Sequence, residues 1–138
     1  MRMVDGVLGT AYPVGLVVTA PAATPARFDL AISDDEAHMR VVGALLTNVV
    51  QGSIETPGGW AVVGYDGIMV LRQEVGSTNP TSGDGLYLSA AQAGYVSKTP
   101  PVVPNMRLGR ASPIGPNTTG AGVVVPTAWE PELPVSVA

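Results

Sequence analysis

Apolar positions along this chain come in short runs cut by Gly, Pro and polar clusters, and almost nowhere at helical spacing. No window much longer than about ten residues keeps an i, i+3, i+4 pattern free of Gly and Pro. Strand signals recur instead every 10–15 residues or so. Residues 14–19, Val-Gly-Leu-Val-Val-Thr, form a buried-type run. In residues 26–32, Phe28, Leu30 and Ile32 alternate with Arg27, Asp29 and Ala31, which predicts two unlike faces. Residues 40–50 are the longest strand candidate, with Gly43 between Val41-Val42 and Leu45-Leu46. A glycine there predicts a bulge or a close backbone approach. Residues 52–56 make a short alternating strand. Residues 60–63 and 67–71 flank Gly64-Tyr65-Asp66-Gly67, whose Asp-Gly pair is a tight-turn signal.

The second half continues in the same manner. Residues 83–111 read as strand, tight turn, strand, proline-braced loop, strand, with strands at 86–89, 95–97 and 106–111. Residues 121–125 add a last one. Two short helical turns are expected. Ser33-Asp34-Asp35-Glu36 has the capping-box order, and residues 89–93 end at Gly94, a C′ glycine pattern. The polar stretch 74–84 is long enough to be a contact loop. The pattern predicts an all-β fold, a small β-barrel or sandwich of about nine or ten short strands. The expected division is an N-terminal arm at 1–12, the barrel at 13–126, and an extended C-terminal arm at 127–138. The arm prediction at the C-terminus rests on Pro131 and Pro134, which oppose ladder pairing, and on Trp129, which would anchor in a neighbour's pocket.

Composition narrows the function. Gly and Pro number 17 and 13, yet 46% of the 138 residues are hydrophobic, too apolar for disorder. Only 13% are charged, about half the usual share, which suggests a surface covered by partners. No Cys is present, so no disulfide, Cys metal site or thiol nucleophile is possible. Net charge is −4, and Arg2, Arg27, Arg40, Arg72, Lys98, Arg107 and Arg110 are scattered, which argues against a nucleic-acid partner. No apolar run approaches the ~20 residues of a membrane-spanning helix, so no membrane partner is expected. Arg2, the apolar 7–20 stretch and the Ala-rich 21–26 imitate a signal peptide. Asp5, Gly9, Tyr12, Pro13 and Gly15 break the imitation, so an arm leading into the first strand is expected.

Candidate chemistry is sparse. His38 is the only histidine and follows Asp34-Asp35-Glu36. A lone His without a second His or a Cys is a surface residue far more often than a ligand or base. The acidic run lacks EF-hand spacing and reads as a solvated, capping turn. Asp84, between two glycines, should cap its own turn. No Gly-x-Ser-x-Gly elbow occurs, neither Gly-rich segment carries the Lys of a phosphate loop, and Asn117-Thr118-Thr119 matches a glycosylation acceptor by chance. No cofactor, metal or enzymatic activity is expected. Trp60, Tyr65, Tyr87 and Tyr95, scattered over separate strands, read as core or subunit-contact residues.

One resemblance gives this pattern a setting. Pro-Val-Gly-Leu-Val-Val near the start is followed by the acidic turn, Arg-Val-Val-Gly-Ala-Leu-Leu-Thr and a Gly-Ser-Ile strand. Then come Gly-Asp-Gly-Leu-Tyr-Leu-Ser-Ala-Ala-Gln-Ala-Gly-Tyr-Val-Ser-Lys-Thr-Pro-Pro and Met-Arg-Leu-Gly-Arg-Ala. Over residues 12–126 the series resembles the capsid decoration (cement) proteins of tailed bacteriophages. The resemblance implies a virion protein on the outer capsid surface. It would be a homotrimer at local three-fold positions, clamping the major capsid protein. Departures are the polar insertion 74–82 and the Pro-rich tail. The expected partner contacts are Val4, Leu8 and Tyr12 on one arm and Trp129 and Leu133 on the other. Arg107 and Arg110 are expected to pair across a subunit boundary. The rival expectation is a head- or tail-fibre module engaging host glycans through exposed aromatics. A small hydrolase would have to route its chemistry through His38.

Overall fold

The computed structural model describes residues 2–3, 11–19, 27–34, 37–50, 62–102, 104–112 and 124–135. Among them the fold is all-β, as the pattern predicts. In chain order the strands are β1 (Arg2–Met3), β2 (Ala11–Tyr12), β3 (Val17–Thr19), β4 (Arg27–Leu30), β5 (Val41–Leu45), β6 (Val49–Val50), β7 (Val63–Gly64), β8 (Ile68–Arg72), β9 (Gly85–Leu88), β10 (Val96–Ser97), β11 (Arg107–Ala111) and β12 (Val124–Trp129), with one 3₁₀ turn at Ala37–Met39. They form a sheet β1-β4-β3-β5-β7, a sheet β10-β9-β11-β12-β8 and the pair β2-β6.

The two large sheets are built differently. The second is antiparallel throughout and curls until Gln73, just past β8, bridges Val96 of β10. Five strands paired antiparallel leave the first and last pointing the same way. The closing bridge must therefore be parallel, and it is. The Glu74 amide donates to the Val96 carbonyl at 2.7 Å beside it. The first sheet stays open, and its central strands β3 and β5 are buried on both faces. Val17, Ala31 and Ala44 join Leu71, Leu86, Leu88, Leu108 and Val125 in the main core. Val18, Phe28 and Leu45 turn to a second cluster that also takes in Leu16, Tyr12 and Tyr95. Successive residues of a strand point to opposite faces, so a sheet covered on both sides needs continuous apolar runs. The Val17-Val18 and Ala44-Leu45 pairs supply them.

Each sheet carries one glycine that cannot be replaced cheaply. A Cβ on Gly43 would stand 2.2 Å from the Gly64 carbonyl oxygen, and one on Gly109 would stand 2.0 Å from that of Ala128. Both glycines adjoin a register shift, at Val18/Thr19 opposite β5 and at Arg107/Gly109 in β11. The bulge and close approach expected at Gly43 are both present, and Gly109 repeats them.

Several expectations need correction. The run 40–50 divides into β5 and β6 around residues 46–48. The Asp66-Gly67 turn does not close a hairpin. β7 pairs with β5 and β8 with β12, so the turn passes the chain between sheets. The segment 89–94 is a turn, not a helix; its amides at Ala91 and Gln92 donate to Ser89 Oγ. Ser33 bonds the Pro104 carbonyl instead of capping a helix. The boundary drawn after residue 126 falls inside β12, which lies between β11 and β8. Trp129 is accordingly buried in the main core and is not an anchor for a neighbour. Backbone pairing even outlasts the strand. Glu130 and Glu132 amides donate to Leu108 and Arg107 carbonyls, and Val135 bridges Asn105. From Gly109↔Trp129 to Asn105↔Val135, seven residues (129–135) lie opposite five (105–109). Pro131 and Pro134 lie in this stretch. They interrupt the ladder without ending it. At the other end, the described residues of the expected arm also pair internally, Arg2–Met3 with β4 and Ala11–Tyr12 with β6.

Candidate interaction surface

The titratable groups serve local structure. His38 Nδ1 lies 2.6 Å from Asp34 Oδ1, both half-exposed, within the turn around Ala37–Met39. Asp84 caps its own turn as expected. It accepts from the Thr81 amide at 2.8 Å and the Thr81 hydroxyl at 3.1 Å, with Lys98 Nζ 3.7 Å away. The Thr81 amide first, then its hydroxyl and the Lys98 charge, hold the Asp84 carboxyl below its ordinary value. Glu74 accepts from the buried Ser89 hydroxyl at 2.7 Å. Gln73, fully buried at the sheet closure, gives its amide nitrogen to Ser77 and Asn79 while its oxygen finds no protein partner. Among the described residues no three His, Cys, Asp or Glu side chains converge as a metal site would require.

What the surface offers is apolar. Two clusters stand out. The first is the corner between β7 and β8. Val62, Tyr65 and Ile68 are exposed there, Tyr65 at 74%. Leu46, also exposed, is tied in by its amide on the Val62 carbonyl at 2.8 Å, and its methyls reach over Gly64. The turn that carries this corner is held by Asp66, which accepts from the Gly67 amide at 2.8 Å. The second cluster follows the C-terminal strand beyond Trp129. A groove of about 420 Å³ opens between that segment and the start of β5. Its apolar lining includes Met39, Val41, Met106 and Leu133. Leu133 is 88% exposed and Val135 is 48% exposed. Arg40 stands at the groove lip, its side chain holding no ion pair or hydrogen bond among the described residues.

The contact residues expected from sequence divide among these places. Leu133 is exposed on the groove wall. Arg107 and Arg110 pair within the chain, with Glu132 at 2.6 Å and Glu130 at 3.4 Å. Within the chain, the C-terminal strand brings these carboxylates alongside β11. Tyr12 is half-buried against the second core. Val4, Leu8 and Trp60 lie outside the described residues. Tyr87 and Tyr95 are half-buried, which leaves Tyr65 as the one strongly exposed aromatic among those described.

The corner and the groove were both missed at the level of sequence. A partial signal existed for the corner, since Val62, Tyr65 and Ile68 crowd apolar bulk around an Asp-Gly turn that solvent should own. No protein-family model matches the chain, and no curated protein or solved structure matches it significantly. No helix among the described residues is long and apolar enough to cross a membrane.

Proposed function

We propose that this protein is a structural module that works by assembly, and that the assembly is the outer surface of a tailed-phage capsid. The observation that carries the reading is the pairing of a charge-poor sequence with exposed apolar side chains gathered at one corner and one groove of an all-β body. Scattered surface apolar residues are ordinary, but clusters of them mark contact sites. The resemblance of residues 12–126 to decoration proteins supplies the setting: a homotrimer on the major capsid protein at local three-fold positions. Repetition over a symmetric shell adds avidity to contacts that are weak singly.

In this reading the grip comes from preformed surface, because Thr127–Trp129 already belong to strand β12 and Trp129 to the main core. A module ordered before it docks loses less entropy on binding. The test is cryo-EM of the particle that carries the protein, with the mass of the free protein measured alongside. Density for the all-β body on the outer shell, at a stoichiometry set by the three-fold positions, supports the proposal. Its absence from purified particles sinks it. A glycan-engaging fibre module draws less support, since the described aromatics do not gather on the surface.

A further inference from the structure

We infer that the β7–β8 corner of one copy docks into the Met39–Leu133 groove of another. The corner is convex and apolar, with Tyr65 and Ile68 exposed on either side of an exposed carboxylate, Asp66. Asp66 spends one oxygen on the Gly67 amide and has no cationic partner among the described residues. The groove is the complement. Val41, Leu133, Pro131 and Pro134 form its walls with Arg40 and Glu132, over a floor of the buried Met39 and Met106. At its lip stands Arg40, the one basic side chain among those described that holds neither an ion pair nor a hydrogen bond. The neighbouring lip carboxylate, Glu132, is already neutralised by Arg107 at 2.6 Å. Among the described residues, the groove therefore presents apolar side chains beside one positive charge without an ion-pair partner, and the corner presents apolar bulk and one such negative charge.

Covering the corner and the groove at once removes two apolar surfaces from water, and the Arg40–Asp66 pair fixes the register. Because the two halves are different patches of one chain, every copy carries a knob and a socket. Such contacts are heterologous and build rings when the rotation closes. This inference rests on the assembly reading for its setting and names the contact between copies that the reading leaves open.

The experiment uses free full-length protein without any shell. Sedimentation equilibrium over a concentration series should show self-association of the native chain. Arg40→Glu and Asp66→Arg should each weaken it by about tenfold or more, as expected for a desolvated charge pair broken on one side. The double charge swap, Arg40→Glu with Asp66→Arg, should restore it to within about threefold. Tyr65→Ser and Leu133→Ser, one on each half, should also weaken association while leaving the melting temperature unchanged, which separates docking from folding. A native chain that stays monomeric throughout overturns the inference, as do single variants that retain full association or a double swap that fails to recover it. Capsid binding by such a monomer would leave the decoration reading standing and this contact refuted.

Discussion

The two five-stranded sheets solve the same problem in opposite ways. In the open β1-β4-β3-β5-β7 sheet the central strands β3 and β5 are buried on both faces, so they need apolar residues at consecutive positions. The β10-β9-β11-β12-β8 sheet curls toward closure and buries one face, so β8 and β9 alternate inward Met69, Leu71, Leu86 and Leu88 with less buried neighbours. Both depend on a glycine in the middle of a bulged strand, Gly43 in one and Gly109 in the other. The difference shows that a bulge glycine is the shared device for bending a strand here, whatever the covering of the sheet.

Core truncations should break the comparison most severely. Trp129→Ala in the curled sheet and Phe28→Ala in the second core should each cost about 3–5 kcal/mol by urea unfolding. Equal loss within a single transition means that the two cores unfold together. Two separated transitions would mean that the open sheet and the curled one are independent. Next come the glycines. Gly109→Ala and Gly43→Ala force a Cβ into a backbone carbonyl and should each cost about 3 kcal/mol, through strand displacement. A loss well under about 1 kcal/mol at either would show that its close approach relaxes freely.

Charged groups sharpen the picture with smaller effects. Glu132→Gln removes the exposed partner of Arg107 and should cost no more than about 1 kcal/mol, less in high salt. Asp84→Asn should lower stability near neutral pH and lessen its loss in acid. The folded-state carboxyl titrates below its ordinary value of 3.8, so its stabilising contribution is complete above that value. It is lost as pH falls through the lower, folded value. The native chain should therefore lose more stability than Asp84→Asn between neutral pH and strong acid. Matching pH profiles would show that the Thr81 cap contributes nothing.

The contrast between sheets also explains what could be read from sequence. Strand signals at 26–32, 67–71, 86–89, 95–97 and 106–111 matched strands because alternation and turn residues are local features. Gly43 was legible as a bulge because a glycine inside an apolar run has few other uses. Trp129 was misread because Pro131 and Pro134 dominate the local pattern, while the burial of Trp129 depends on β8 and β11, distant in sequence. The intrachain partners of Arg107 and Arg110, Glu132 and Glu130, were illegible for the same reason, since they arrive through pairing of the C-terminal strand. The groove joins residues near position 40 to residues near 106 and 133, a juxtaposition that only the sheet packing creates.

The free protein holds residues 127–129 locked in a core strand. Native-state hydrogen exchange on the free protein tests this most directly. Amides of Ala128 and Trp129, together with the Arg110 amide on β11, should open only with global unfolding. Exchange at Ala128 and Trp129 as fast as in a solvated loop, slowing only after assembly, would contradict the account and make the C-terminus a tail that orders on its neighbour.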